Sequence, residues 1–303
     1  MPLTPSCAKP QGLIRLVSAT VALVVASGCT YASEQIGVDQ PGLSEVPVVR
    51  EVPEIAALVP AEVAADGILT IAAELTYAPM EFVGADGRSA VGMDIDIASA
   101  VAEVLGLEPQ VMSSSFDSII PALGSRYELG ASAFTITPAR LEAVNMVAYL
   151  EAGSQLAVQA GNPDGVDPDY LCGTQIAVQI GTVQQEELEA LNSSDCSDNP
   201  VAIFPFESQA DATANLVGGR VAAMYADSPI IGYAVAQTDG ALVELGPIRD
   251  AAPYGLAIAK DDVALAEAVY AAVQHLIDTG TMAQIAEHWG NSQMLIEQAR
   301  LYR

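Results

Sequence analysis

A chain of 303 residues, 51% of them hydrophobic, is long enough for two domains with well-filled cores and does not have the composition of a disordered polymer. Its 11 Lys and Arg stand against 38 Asp and Glu, a formal net charge of −27, which argues against nucleic acid as a partner and sets the surface against anionic lipid.

The first elements are those of an exported protein. Residues 1–15 carry Lys9 and Arg15 and no acid, and residues 16–28 form an uncharged apolar run that ends at Cys29 and is too short to span a bilayer. This is the layout of a secretory signal. Val25-Ala26-Ser27-Gly28-Cys29 resembles a bacterial lipobox, with Ala26 where leucine is usual, so residues 1–28 read as a lipoprotein signal peptide and Cys29 as the acylated first residue of the mature chain. Plain signal-peptidase cleavage nearby is the alternative. Residues 29–52 are rich in Ser, Gly, Pro and acids without clear periodicity and read as a flexible tether. Export leaves Cys172 and Cys196 in the body of the protein, where an oxidising compartment should pair them. No Cys/His cluster has metal-ligand spacing, and neither a metal nor a cofactor is expected.

Residues 53–65 have helical spacing, ended by Gly67 ahead of an apolar strand at 68–73. A helix at 94–105 stops at Gly106, a strand covers 110–113 and a helix 117–123. A strand at 129–134 runs into a helix that holds Arg140, and a strand at 155–159 follows. Strand 175–180 leads into helix 183–191, strand 201–204 into helix 209–217, and strand 221–225 into helix 229–236. Strands at 242–245 and 255–259 and a long helix at 262–277 complete the pattern. In that helix Ala266, Val269, Tyr270, Val273, Leu276 and Ile277 share one apolar face. The alternation predicts α/β architecture with parallel strands and no internal repeat.

Ligands of open α/β sheets sit beyond the carboxyl ends of strands, close to helix N-termini, and three such junctions hold polar residues. At the first, Thr137 followed by Pro138 reads as an N-cap and first helical residue. Arg140 then falls in the first turn, where the macrodipole disfavours a cation and a bound carboxylate would relieve the conflict. An exposed arginine reaching solvent or a nearby Glu is the other reading. At the second, Thr182 fits an N-cap with Gln185 closing a capping box, and the free amides beyond it favour an anion as well as a plain capped helix. At the third, Ser228 before Pro229 serves as cap, which frees Asp227 to hold a cation or simply to stabilise the helix start. Together the junctions offer one positive point, one set of amide donors and one negative point, the complement of a zwitterion such as an α-amino acid.

The chain resembles the family 3 extracellular solute-binding proteins that deliver polar amino acids to ABC importers. The resemblance covers about residues 53–291. It rests on Gly92-Met93-Asp94-Ile95-Asp96-Ile97-Ala98, Phe116-Asp117-Ser118-Ile119-Ile120-Pro121-Ala122-Leu123 and Thr135-Ile136-Thr137-Pro138-Ala139-Arg140, with Gly181-Thr182-Val183, Tyr225-Ala226-Asp227, Pro253-Tyr254-Gly255 and His288-Trp289-Gly290. Met93 replaces the aromatic or aliphatic residue usual there, and Ala133 stands where relatives often carry Gly or Ser. The resemblance implies a two-lobed periplasmic-binding-protein fold of type II: residues 53–153 plus 251–303 form lobe 1, residues 154–250 form lobe 2, and crossover segments lie near 153–155 and 246–250. It also implies that Arg140 grips the α-carboxylate with Thr182 and the Val183 amide, while Asp227 takes the α-ammonium with Thr135. Tyr77 and Phe116 would sandwich the ligand side chain, Glu74 would favour a cationic one, and Ala133 would line the site with one fewer side-chain hydrogen bond. The partners implied are an ABC permease with its ATPase, and the expected state is an extracytoplasmic, lipid-anchored monomer. Two readings from other classes stand beside this one. One is an enzyme on the same fold, a dehydratase or peptidoglycan lyase with Glu74 or Glu81 as its acid; the other is a ligand-sensing module. His275 and His288 fall away from the strand ends and read as packing or surface residues.

Overall fold

The computed structural model describes residues 48–303, so the expected signal peptide, Cys29 and most of the tether lie outside the described residues. Packing begins before residue 53: Val49 and Val52 rest on the core, and the Val52 amide donates to the Val104 carbonyl. Two short helices follow, α1 (Pro53–Ala56) and α2 (Ala61–Ala64), where one was expected. Pro60 separates them, since a proline disfavours helical geometry in the residue before it. Next come strands β1 (Ile68–Ala73), β2 (Thr76–Tyr77), β3 (Glu81–Val83) and β4 (Ala90–Val91), then helix α3 (Met93–Val104), β5 (Glu108–Ser113) and α4 (Phe116–Ala122). Strand β6 is only Leu129–Gly130, because the chain turns at Ala133, whose φ is 46°.

Helix α5 (Pro138–Ala143) runs directly into β7 (Val144–Gln159), three times the length of the strand expected there. The next elements are β8 (Gln175–Gln179), α6 (Val183–Ser193), β9 (Ala202–Phe206), α7 (Gln209–Val217), β10 (Ala223–Asp227) and α8 (Ser228–Gln237). Strand β11 (Leu242–Ala259) merges two expected strands across the intervening segment. Helices α9 (Val263–Asp278) and α10 (Thr281–His288) and strand β12 (Leu295–Tyr302) close the chain. Among the described residues no helix is long and apolar enough to cross a membrane.

The main sheet has the order β5-β1-β6-β11-β7-β10-β8-β9, with β12 added on β7, and β2-β3-β4 form a small separate sheet. The expected parallel pairing holds on the flanks, β5-β1-β6 and β10-β8-β9. At the centre β7 and β11 pair antiparallel along most of their length, with register shifts around residues 245–255. The reason is topological. These two strands carry the chain out of one lobe and back, so they must run in opposite directions. One end of the pair holds β6 through Ala257 and Ile258, and the other holds β10 through residues 154–158. Where they cross, a Cβ added to Gly153 would lie 2.4 Å from the Arg249 carbonyl oxygen, which leaves room only for glycine.

Cys172 and Cys196 form a disulfide with Cα atoms 5.1 Å apart, 24 positions apart in sequence. Closing a loop of that length stabilises a fold by about 3 kcal/mol in the chain-entropy picture. Reduction is therefore expected to lower the urea midpoint clearly, and a midpoint unmoved by dithiothreitol would contradict it.

Candidate functional site

The loops that join the strands of the two lobes bring the three junctions together. Thr137 caps α5 as expected, accepting the Arg140 amide at 3.2 Å, and Pro138 opens the helix. The Arg140 guanidinium donates to the Thr135 carbonyl at 2.8 Å and to the Gly181 carbonyl at 3.0 Å, so one side chain joins the first junction to the second. Its Cζ lies 5.4 Å from the Phe116 ring centre and 5.6 Å from that of Phe134, and the two rings are stacked on each other. Burial works against its charge, with Glu186 and Asp227 opposing that effect. Among the described residues the ion pairs are Arg249 with Asp169 and Arg303 with Glu267, so Arg140 has no carboxylate partner.

Thr182 caps α6, accepting the Gln185 amide and donating its hydroxyl to the Gln179 carbonyl at 2.8 Å. Gln185 closes the box one residue earlier than expected, accepting from the Gly181 amide. Val183 is the first residue of the helix.

The third junction differs in detail from the expectation. Asp227, and not Ser228, is the N-cap of α8, yet its carboxylate makes no capping bond. It is held from elsewhere: Tyr77 donates to Oδ2 at 2.7 Å, and Gln184 donates to Oδ1 at 2.8 Å while its amide also reaches Ser154. Burial raises the Asp227 pKa, and the Tyr77 and Tyr254 hydroxyls, Gln184 and the Arg140 charge lower it. Tyr77 and Phe116 belong to different apolar clusters: Phe116 lies against Arg140, and Tyr77 is engaged by its hydroxyl.

Glu74 is 6% exposed and accepts from the Thr76 hydroxyl at 2.9 Å and from Gln179 Nε2 at 3.0 Å. Burial pushes its carboxyl above the usual range. Ala133 turns the wall of the site and donates its amide to Asp94. Sequence reasoning missed the roles of Gln179, Gln184 and Thr76, because a glutamine or threonine at a strand end or helix start carries no signal that separates a long-range contact from a local one. A cavity of about 1020 Å³ beside Gly153, Tyr233 and Trp289 contains none of these residues. The site is defined by converging chemistry and lies apart from that cavity. His288 sits against Trp289, whose indole donates to Asp96, consistent with packing.

The arrangement can clamp a zwitterion with a cationic tail: an unpaired arginine at one end, a buried aspartate nearby and a buried glutamate on the wall. Comparison with known proteins agrees with this chemistry. Residues 69–292 match the bacterial extracellular solute-binding proteins, family 3. The chain is 34% identical over 293 residues to the arginine-binding protein ArgT of Corynebacterium glutamicum, covering 94% of this chain and 95% of that one. Among solved structures it is similar to an ancestral arginine-binding protein bound to arginine, at 30% identity and a TM-score of 0.68 over 74% of this chain and 98% of that one. It is also similar to the ancestral amino acid-binding protein AncCDT-1, a precursor of cyclohexadienyl dehydratase, at 29% identity and a TM-score of 0.68 over 77% of this chain and 99% of that one.

Proposed function

The chain belongs to the bacterial extracellular solute-binding proteins, family 3, and on that basis we propose that it captures a cationic L-amino acid, arginine foremost, and delivers it to an ABC importer. The observation that carries this reading is Arg140, a half-buried guanidinium with no carboxylate partner among the described residues, hydrogen-bonded to the carbonyls of Thr135 and Gly181. Arg140 with Thr182 and the Val183 amide takes the α-carboxylate. Asp227 with Thr135 takes the α-ammonium, and Glu74 faces the cationic tail along a wall formed by Ala133, Phe116 and Tyr77. Lobe 1 is then residues 53–153 and 251–303, and lobe 2 is residues 154–250. Arg140 and Asp227 come from different lobes, so one ligand bridges both and its binding energy favours the closed state. The mature chain works as a monomer tethered to the membrane through acylated Cys29, with a permease and its ATPase as partners.

A thermal-shift screen of the exported domain against the amino acids tests this directly. A ligand at a hundred times its Kd adds about 2.7 kcal/mol, and arginine, lysine, ornithine or histidine should give the largest shift. Glu74→Gln should narrow the preference for arginine over glutamine at least tenfold in calorimetry, since the change removes a buried charge and keeps the shape. An unchanged ratio would show that Glu74 does not read the side chain. An enzyme reading keeps one support, the AncCDT-1 likeness. Against it, the Glu74 carboxylate is committed to Thr76 and Gln179. Consumption of a screened compound would favour the enzyme.

A further inference from the structure

Behind the wall of the site lie two carboxyls that the binding scheme does not use. Glu81, at the start of β3, and Asp94, in the first turn of α3, are each 0% exposed. Both hang on one dipeptide: the Ser132 hydroxyl donates to Glu81 Oε1 at 2.6 Å, and the Ala133 amide donates to Asp94 Oδ2 at 2.7 Å. Tyr149 from β7 also donates to Asp94 Oδ2 at 2.7 Å, and the Glu74 amide donates to Ser132. The remaining oxygens, Glu81 Oε2 and Asp94 Oδ1, are buried without a partner.

Neither carboxyl is in an ion pair among the described residues. The charged groups that act on them are themselves acidic: Asp94, Glu74 from the turn before β2 and Asp227 from the end of β10 act on Glu81, and Asp227 acts on Asp94 as well. The hydroxyls of Tyr149 on β7 and Tyr254 on β11 complete the surroundings, their rings 6.4 Å apart. Two buried carboxylates so placed cannot both ionise cheaply. Burial and the neighbouring acids push Glu81 well above its ordinary pKa and Asp94 up to about 7.

We propose that Glu81 and Asp94 hold one proton between them behind the Ser132–Ala133 segment, and that a cation bound in front of that segment drives the proton into solvent. The coupling rests on the cationic-ligand reading; the held proton does not. A positive ligand offsets the field of Asp227 and Glu74, which adds to burial in keeping the pair protonated, so binding and deprotonation favour each other and affinity for a cation rises with pH.

Two measurements on the exported domain separate these parts. Without ligand, an acid whose folded pKa is raised stabilises the fold below its unfolded value, and that contribution is lost as pH rises through the folded value. The unfolding constant of the wild type should therefore grow faster between pH 5 and 8 than that of Glu81→Gln, by up to tenfold per pH unit for one proton. Parallel curves would overturn the held proton. Asp94→Asn, which keeps an acceptor for Ala133 and Tyr149, gives the same test should Glu81→Gln fail to fold. With L-arginine, titration in buffers of different ionisation enthalpy should show more proton release by the wild type than by Glu81→Gln, while both bind. Equal release by both would overturn the coupling. No binding of arginine by either would overturn the cationic-ligand reading, and the unfolding curves would still decide the proton.

Discussion

Replacing Arg140 with alanine is expected to weaken amino acid binding by about thirty-fold to several thousand-fold in calorimetry, the equivalent of 2 to 5 kcal/mol for leaving a buried charge without its partner. The size follows from the geometry. The guanidinium is bounded by the Phe116 and Phe134 rings and by the carbonyls of Thr135 and Gly181, so the groups that surround it are apolar or hydrogen-bond acceptors and none can replace it as the ligand carboxylate's partner. The same change removes the bonds to the Thr135 and Gly181 carbonyls. Arg140→Lys is an informative control, because it keeps the charge but cannot make the forked contact to two carbonyls, and it should recover only part of the loss. Binding within threefold of the wild type in Arg140→Ala would place the anion site elsewhere.

Asp227→Asn is expected to separate function from stability. The substitution keeps the shape and an acceptor for Tyr77 or Gln184 but removes the charge that would meet the α-ammonium, so affinity should fall at least a hundredfold. Stability should move the other way. Burial raises the Asp227 pKa, which means that the folded state holds a proton there more tightly than the unfolded state does. The ionised carboxylate is thus a cost to the fold at neutral pH, and the asparagine variant should melt at the same temperature as the wild type or a higher one. A variant that lost both binding and several degrees of Tm would show that Asp227 serves chiefly to hold Tyr77 and Gln184 in place.

The α/β class, most elements and the cap at Thr137 with proline next to it were legible from apolar periodicity and turn chemistry, because these signals are local. Local reasoning also singled out Arg140, Thr182 and Asp227, each of which lies at the start of a helix where its residue type stands out. It failed at β7 and β11, which were read as short strands. Their middle sections cross between lobes, and such a segment is defined by a partner strand about a hundred residues away, with no short-range pattern to mark it.

The tertiary structure alone decided what each side chain touches. Phe116 lies under the Arg140 guanidinium, the Asp227 carboxylate is held by Tyr77 and Gln184, and Glu74 accepts from Gln179, 105 positions away. In the sequence Glu81 was a candidate acid for an enzyme and Asp94 a residue of the family motif, with nothing to link the two. Only folding places them at 0% exposure on the same dipeptide, and burial beside like charge is what makes them chemically unusual. Sequence thus determined the backbone's local choices and the kinds of charge available, whereas long-range packing determined which charges lost their water and which partners replaced it.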